Sequence, residues 1–441
     1  MPYINLREKF FVIVFSLAIL TFTFGERLGA SFGILGDENI YYLISLDLER
    51  ILFSFGLDRY YVQRILPPFL VHLFAKITST SLTVDNTVNI FCIFNVVLQV
   101  LTAHFWLLIC KNLRIGINGV WVGFITLYVN YAILKYLPFT QVTTDMFAYF
   151  LGVLIVYLYL ESKTFPLFLV SFIGSFAWPT VYWIGFIFLL FPRSEKVFRP
   201  EQGAKHNCGY ILFPALFAFS LGIIYMKVLK PLYSSEAFSR GMFQFGAVKP
   251  LSGFLFLSVM AAVGYIFLSL RTLFRNGFAL LSGDAGRKEI LKQIFLAAML
   301  IFTVKTTINY FSAISQHFNW NTFFENRLIF SISAPFFFLI AHVTYFGPII
   351  ILMMFSFRKV CDEIIKCGTG MILVAAFILV ASLDSESRHL IFFFPILVPF
   401  AIKAVEGVFV SLKKMIFFCV LSLIFSKIWL TIGIHEFKGD V

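Results

Sequence analysis

Apolar runs separated by short polar segments fill almost the whole chain. About 20 consecutive apolar residues are enough for a helix to cross a bilayer. The pattern predicts an all-α, polytopic membrane helix bundle with about thirteen transmembrane helices, in which residues 1–441 form a single integral membrane domain. The predicted helices are 10–24, 88–110, 117–137, 146–160, two short helices within 165–191, 208–227, 253–270, 293–311, one within 328–357, 369–382, 389–410 and 415–432.

The segment 25–87 is predicted to be the first extracytoplasmic loop. Within it, residues 39–56 carry apolar side chains at helical spacing and polar ones opposite, which is typical of an amphipathic helix lying in the membrane interface. A rival layout makes 60–77 a full span. That layout puts Arg64, His72 and Lys76 in or beside lipid, where a central charge costs about 2–3 kcal/mol. Both layouts remain open at this point.

Composition supports the membrane assignment. Hydrophobic residues make up 60% of the chain and charged residues 13%, whereas soluble domains carry roughly 25% charged residues. The net charge of +12 follows the positive-inside rule, since basic residues concentrate in the short loops predicted to face the cytoplasm. We therefore expect a multi-pass protein of the cytoplasmic membrane with a cytoplasmic N-terminus, contacts to membrane lipids and no nucleic-acid partner.

Two adjacent carboxylates, Asp37 and Glu38, open the first outer loop. One interpretation is helix capping, with Asp37 as the N-cap and Glu38 favoured by the helix dipole. The other makes one of the pair a general base or a metal ligand at the outer surface. The two interpretations are compatible.

A basic, tyrosine-rich run follows, from Arg59 to Pro68. Arg59 and Arg64 could extend to lipid headgroups, with the tyrosines forming part of an interfacial belt. Alternatively they recognise a lipid phosphate, because the planar guanidinium donates two parallel hydrogen bonds.

Further charges lie at the same predicted ends of other helices. Asp145 is a candidate N-cap at the start of helix 146–160, on the same side as Asp37. Several charges on one side, between apolar helices, favour a functional site. The remaining members of this set are Lys305 within helix 293–311, Arg327 before the next helix, and Arg388 and His389 at the start of helix 389–410.

Three short stretches together resemble the multi-pass GT-C glycosyltransferases: an acidic pair opening a long first outer loop, the run Tyr61-Val62-Gln63-Arg64-Ile65-Leu66-Pro67-Pro68, and an Arg followed by an apolar, Pro-containing helix from Arg388 to Pro395. The resemblance implies a GT-C-like fold with interfacial helices in loop 25–87. It implies that Asp37 or Glu38 is the catalytic carboxylate of loop one and Asp145 the acidic residue of the second outer loop. Arg388 would then be a phosphate-binding residue near the C-terminus.

An enzyme of this type would take sugar from a polyprenyl-phosphate-linked donor and pass it to a glycan, lipid or protein acceptor. A carboxylate base would remove the acceptor proton, and Arg64, Arg388 or Lys305 would stabilise the departing phosphate. Arg59, Arg327 and His389 are further candidates for substrate or phosphate binding. A single carboxylate base implies inversion. No nucleotide site is required, and the cofactor left open is a divalent cation, Mg²⁺ or Mn²⁺, which could bind Asp37, Glu38 and Asp145.

Three alternatives remain open, one of which is a structural membrane subunit with no activity. A polysaccharide polymerase of the O-antigen type would also move sugar from a lipid diphosphate outside the membrane. A transporter or flippase of lipid-linked sugars would instead place its charges near the bilayer midplane, between broken helices.

Overall fold

The computed structural model describes residues 2–26, 36–55, 57–193, 252–274, 287–312, 336–384 and 386–431. Helices dominate these ranges, which contain a single isolated β-bridge between Leu57 and Ser312 and no other β-structure. The N-terminal helices are α1 Pro2–Phe24, α2 Asp37–Leu46, α3 Leu48–Arg50, α4 Arg59–Val62, α5 Leu66–Thr78, α6 Val84–Asn112, α7 Ile117–Tyr128, α8 Leu137–Phe139, α9 Asp145–Leu160, α10 Thr164–Gly174 and α11 Val181–Leu190. Two π-helical turns, Ile51–Phe55 and Ala132–Tyr136, interrupt this series.

The later helices are α12 Ser252–Leu273, α13 Arg287–Phe311, α14 Phe337–Phe346, α15 Ile349–Phe355, α16 Phe357–Ile365, α17 Thr369–Ala381, α18 Phe394–Val405 and α19 Leu412–Ser426. Short 3-10 turns, Ser387–Leu390 and Glu406–Val408, precede and follow α18. The predicted helix 208–227 lies outside the described residues.

Within the residues that the structure describes, two helices are long and apolar enough to cross a membrane, Val84–Asn112 and the Glu289–Phe311 part of α13. A third candidate is the pair Ile117–Tyr128 and Ala132–Phe139, which is bent by 43°. The predicted count of about thirteen spans therefore stays a prediction, as does the choice between the two layouts of residues 60–77. The helix in that region, α5, has 13 residues, which at 1.5 Å per residue is shorter than a hydrocarbon core of about 30 Å.

Several predicted boundaries are confirmed. The Trp178-Pro179 break separates α10 from α11, and the helix predicted from residue 146 begins at Asp145. The amphipathic helix predicted over 39–56 is present but divided, since α2 ends at Leu46 and the chain continues as α3 and a π turn. Pro67 and Pro68 lie in the first turn of α5, where a missing backbone N–H leaves no helical hydrogen bond unmade.

The helix α9 lies at the centre of the packing, against α6, α10 and α18. A Cβ atom added at Gly152 of α9 would lie 2.3 Å from the Phe392 carbonyl oxygen and 2.8 Å from Pro395 Cγ. Only glycine permits this approach. The contact at Gly152 holds α9 against the segment that leads into α18, and both of these segments carry residues of the candidate site.

Candidate active site

Asp37 is the first residue of α2 and is not its N-cap. Gly36 is the N-cap, at φ 58°, and α2 has no side-chain capping hydrogen bond. The Asp37 carboxylate instead accepts hydrogen bonds from the hydroxyls of Tyr60, at 2.9 Å, and Tyr61, at 3.0 Å. The capping interpretation of Asp37 is therefore wrong, and the carboxylate is held by two phenols on α4.

Asp145 is likewise not an N-cap. Thr144 precedes it as the N-cap residue, and α9 has no side-chain capping bond. The Asp145 carboxylate is fully buried and accepts from Arg388 Nε through both oxygens, at 3.0 and 3.2 Å. Arg388 Nη1 lies 4.0 Å from Asp37 Oδ2. The guanidinium therefore joins Asp145 to Asp37, and three segments far apart in sequence meet at one point.

Glu38 anchors this arrangement. Its side chain is buried, and its Oε1 accepts the backbone N–H of Val142 at 3.3 Å. On the other side of the same segment, Asn95 Nδ2 of α6 donates to the Gln141 carbonyl at 3.2 Å. The chain that leads into Asp145 is thus held from both α2 and α6.

The electrostatics keep the arginine charged and the phenols neutral. Burial alone would lower the pKa of Arg388, but the Asp145 carboxylate, its hydrogen bonds with the guanidinium, and the phenols of Tyr136 and Tyr60 together raise it by more, so the net pKa lies well above its usual range. Burial, together with the Asp37 carboxylate, raises the pKa of both Tyr60 and Tyr61, although Arg64 partly opposes this at Tyr60. Both hydroxyls therefore keep the protons that they donate to Asp37.

Arg64 does not extend to lipid headgroups as one interpretation expected. Only 5% of the residue is exposed, and its Cζ lies 3.8 Å from the ring centroid of Tyr60 and 4.8 Å from that of Trp178. Because Tyr60 also binds Asp37, Arg64 lies one aromatic ring away from the candidate site. Neither the tyrosine pair nor Trp178 was predicted as part of it, since interfacial aromatic residues have the same sequence pattern.

The other predicted residues are more peripheral. Arg59 is exposed at the start of α4, and Lys305 is exposed on α13, 5.7 Å from the Trp183 ring centroid. His389 bridges Asp384, at 2.9 Å, and Glu386, at 3.4 Å. Arg327 lies outside the described residues.

The three carboxylates do not form a metal site as they stand. No group of three or more His, Cys, Asp or Glu side chains suited to a metal ion occurs in the described ranges. Arg388 lies between Asp145 and Asp37, and the Glu38 carboxylate accepts a backbone N–H. A divalent cation stays a prediction, and no chemical step below passes through one.

An apolar crevice of about 180 Å³ lies near the arginine, between α12, α14, α15, α17 and α18. We name it the α14–α18 crevice. Leu390, two residues after Arg388, lies in its wall with Phe346 and Phe394, whose rings stack at 4.2 Å. His342 provides a polar edge and contacts Ser387 Oγ and the Ser382 carbonyl, each at 2.9 Å.

Comparisons with known proteins give a structural likeness only. No family model matches the sequence, and no curated protein matches it either. Three solved structures of the Archaeoglobus fulgidus oligosaccharyltransferase do match. AglB in complex with an inhibitory peptide and a dolichol-phosphate is 15% identical with a TM-score of 0.47, covering 95% of this chain and 55% of that one.

The complex with zinc and sulfate is 13% identical with a TM-score of 0.42, covering 95% of this chain and 52% of that one. The third structure is the same enzyme tethered by a disulfide bond to an acceptor peptide containing the NVT sequon. It is 12% identical with a TM-score of 0.43, covering 95% of this chain and 54% of that one. The chain thus spans about half the length of the oligosaccharyltransferase chains that it resembles.

Proposed function

We propose that this chain is a membrane glycosyltransferase that transfers a sugar, with inversion, from a polyprenyl-phosphate-linked donor to an acceptor on the extracytoplasmic face. One observation carries the proposal. A partly exposed carboxylate, Asp37, lies beside the guanidinium of Arg388, which a buried carboxylate, Asp145, holds in place. A base next to an oriented cation is what transfer from a phosphate leaving group needs.

Asp37 is the base that the exposures favour. Its side chain is 30% exposed, whereas Asp145 is fully buried and only 7% of Glu38 is exposed. The hydrogen bonds from Tyr60 and Tyr61 use one lone pair on each Asp37 oxygen. A carboxylate has about four such sites, so capacity remains for a proton from the acceptor hydroxyl.

Arg388 is the phosphate-binding residue. Asp145 occupies its Nε, and 24% of the arginine side chain remains exposed. The terminal nitrogens can therefore donate to phosphate oxygens, in charge-assisted bonds of the kind that guanidinium groups form. Asp145, which was a candidate catalytic residue, acts in this proposal by orienting Arg388, and Glu38 acts by fixing the segment that carries Asp145.

The reaction is a direct displacement. The acceptor oxygen attacks the anomeric carbon, the bond from that carbon to the phosphate oxygen breaks, and the acceptor proton moves to Asp37. The departing lipid phosphate keeps the bonding electron pair, and Arg388 stabilises its added negative charge. With one accessible carboxylate, no covalent glycosyl-enzyme is formed, so the configuration inverts. The α14–α18 crevice, whose wall includes Leu390, supplies apolar surface for the isoprenoid chain.

Stereochemistry tests the proposal. The purified chain in proteoliposomes is to be given polyprenyl-phosphate sugars of defined anomeric configuration with a panel of glycan, lipid and peptide acceptors. We expect release of polyprenyl phosphate together with a product of the opposite configuration, as read by NMR coupling constants. A product of retained configuration would exclude the single-base mechanism. Movement of the lipid across the bilayer without release of its phosphate would identify a flippase instead.

We expect the hydroxyls of Tyr60 and Tyr61 to affect the rate of sugar transfer much more than the folding of the chain. The double variant Tyr60→Phe/Tyr61→Phe removes both hydroxyl donors to Asp37 and keeps the rings. We expect transfer to fall by about 10- to 100-fold, or about 1.4–2.7 kcal/mol, which is close to the contribution of one hydrogen bond to a charged group, because water can replace part of what the two hydroxyls donate. Tyr42→Phe on α2 is the matched control and should transfer normally. Normal transfer by the double variant would show that the phenols do not position the base.

A further inference from the structure

Arg64 is a buried cation with unused hydrogen-bond donors. The rings of Tyr60 and Trp178 lie within 5 Å of its Cζ, at 3.8 and 4.8 Å. Its Nε and Nη1 are buried and have no hydrogen-bond partner within the described part of the chain. Cation–π contacts offset part of the cost of burying a charge, but a guanidinium whose N–H groups stay unpaired remains unfavourable. This arrangement is suited to an anion that supplies the missing acceptors.

An apolar crevice of about 230 Å³ begins beside this arginine. We name it the α5–α10 crevice. Thr307 is its one hydroxyl-bearing residue, and the other lining side chains are aliphatic or aromatic. Three of them, Val62, Ile65 and Leu66, lie within two residues of Arg64 in sequence.

The residues that line the crevice are close in sequence to Arg64 and to the rings that contact it. Val62, Ile65 and Leu66 flank the arginine in sequence, and Phe176 is two residues before Trp178. The Leu66 N–H donates to the Phe176 carbonyl at 2.8 Å, which ties these two stretches together. Residues on both sides of Arg64 in sequence therefore form part of the crevice wall, and Arg64 itself carries buried N–H groups without a partner in the described part of the chain.

We propose that the α5–α10 crevice binds a single-chain isoprenoid phosphate, with the phosphate on Arg64 and the chain in the crevice. The charge and the apolar walls together match an anionic amphiphile, and a crevice of about 230 Å³ matches one chain rather than the two of a diacyl phospholipid. The crevice is separate from the α14–α18 crevice, and no lining residue is common to both. Both arginines are linked to Asp37, Arg388 directly and Arg64 through Tyr60.

The consequence concerns the acceptor, and this part rests on the proposed function. With the donor phosphate on Arg388, a lipid held at Arg64 presents its head group to Asp37. The acceptor is then itself carried on an isoprenoid phosphate, rather than being a soluble peptide or free glycan.

Photolabelling tests the binding site without requiring catalysis. The full chain in detergent is exposed to farnesyl phosphate bearing a diazirine on its chain, or to the neutral diazirine farnesol, and labelled peptides are mapped by mass spectrometry. We expect the phosphate probe to label α5 and α10 about tenfold more than the neutral probe does, the difference expected from charge-assisted hydrogen bonds. Arg64→Gln should reduce this labelling to the level of the neutral probe, while labelling of α14 and α18 stays unchanged.

A second variant covers the case in which Arg64→Gln fails to fold. Ile173 lines the crevice and is 50% exposed, so Ile173→Trp fills the crevice and leaves Arg64 in place. It should also abolish labelling of α5, with a melting temperature close to that of the parent.

Equal labelling of α5 and α10 by the two probes, or undiminished labelling in both variants, would overturn the proposal and leave Arg64 as a structural cation. Displacement of the probe by phosphatidylglycerol but not by unlabelled farnesyl phosphate would assign the crevice to a bilayer phospholipid instead. These results are independent of transfer. Labelling as expected in a chain that transfers no sugar would refute only the proposed function, and transfer without specific labelling would refute only the second lipid site.

Discussion

Asp37→Asn is expected to lower the rate of sugar transfer by about 100- to 10,000-fold, the usual loss when a general base is removed. The amide keeps the size of the side chain and one oxygen that accepts from one of the two tyrosine hydroxyls, and its NH2 group can donate to the other hydroxyl, but it takes up no proton. Since Asp37 does not cap α2, the substitution removes no capping hydrogen bond. We therefore expect expression and melting temperature to stay near those of the parent chain, with the defect visible in single-turnover transfer at saturating donor.

Two neighbours on the same stretch are the controls. Asp47→Asn removes an exposed carboxylate at the end of α2, which lies 4.0 Å from Arg50, and it should transfer normally. Glu38→Gln keeps an oxygen for the Val142 N–H and should lose little activity. A collapse of rate in Glu38→Gln with normal transfer in Asp37→Asn would move the base to Glu38. Normal transfer in both amide variants would leave the glycosyltransferase proposal without its base.

Arg388→Ala is expected to damage both folding and transfer, for separate reasons. It leaves the fully buried Asp145 carboxylate without its partner, and an uncompensated buried charge costs roughly 3–5 kcal/mol. The double variant Asp145→Asn/Arg388→Ala removes that charge. We expect the double variant to regain most of the lost thermal stability in detergent while remaining inactive in transfer, because the donor phosphate still has no guanidinium.

Arg388→Lys separates charge from geometry. The ammonium group keeps the positive charge but lacks the planar fork, so partial transfer with a raised KM for donor is expected. Wild-type transfer by the double variant would limit Arg388 to a structural role. Unchanged stability of Arg388→Ala would show that the pair with Asp145 contributes nothing to folding.

Much of the helical framework could be predicted from residue pattern alone. The start of α9 at Asp145 and the break at Trp178-Pro179 follow from run length and from the inability of proline to continue a helix. The division of the helix predicted over 39–56 could not be predicted, because its apolar spacing continues through the point at which α2 ends.

The structure brings some of the predicted site residues together and leaves others apart. Asp37, Asp145 and Arg388 meet, although nothing local marks an arginine as the partner of a carboxylate 243 positions away. A carboxylate at a helix start has the same sequence signature whether it caps the helix or binds a distant cation, and here both bind distant groups. The burial of Arg64 was the hardest feature to predict, because it depends on contact with Trp178, which lies far along the chain between α10 and α11.

The close approach at Gly152 gives the two ends of the site unequal freedom to change during evolution. Asp145 and Arg388 belong to the two segments that meet at Gly152, where added side-chain volume would strike the Phe392 backbone carbonyl. Asp37, the tyrosines and Arg64 lie on α2, α4 and the link to α5, which are short pieces joined by turns. Under the proposed function, substitutions around Asp37, on α4 and in the turns that flank it, can therefore change the acceptor while the donor end, fixed by helix packing, keeps its chemistry.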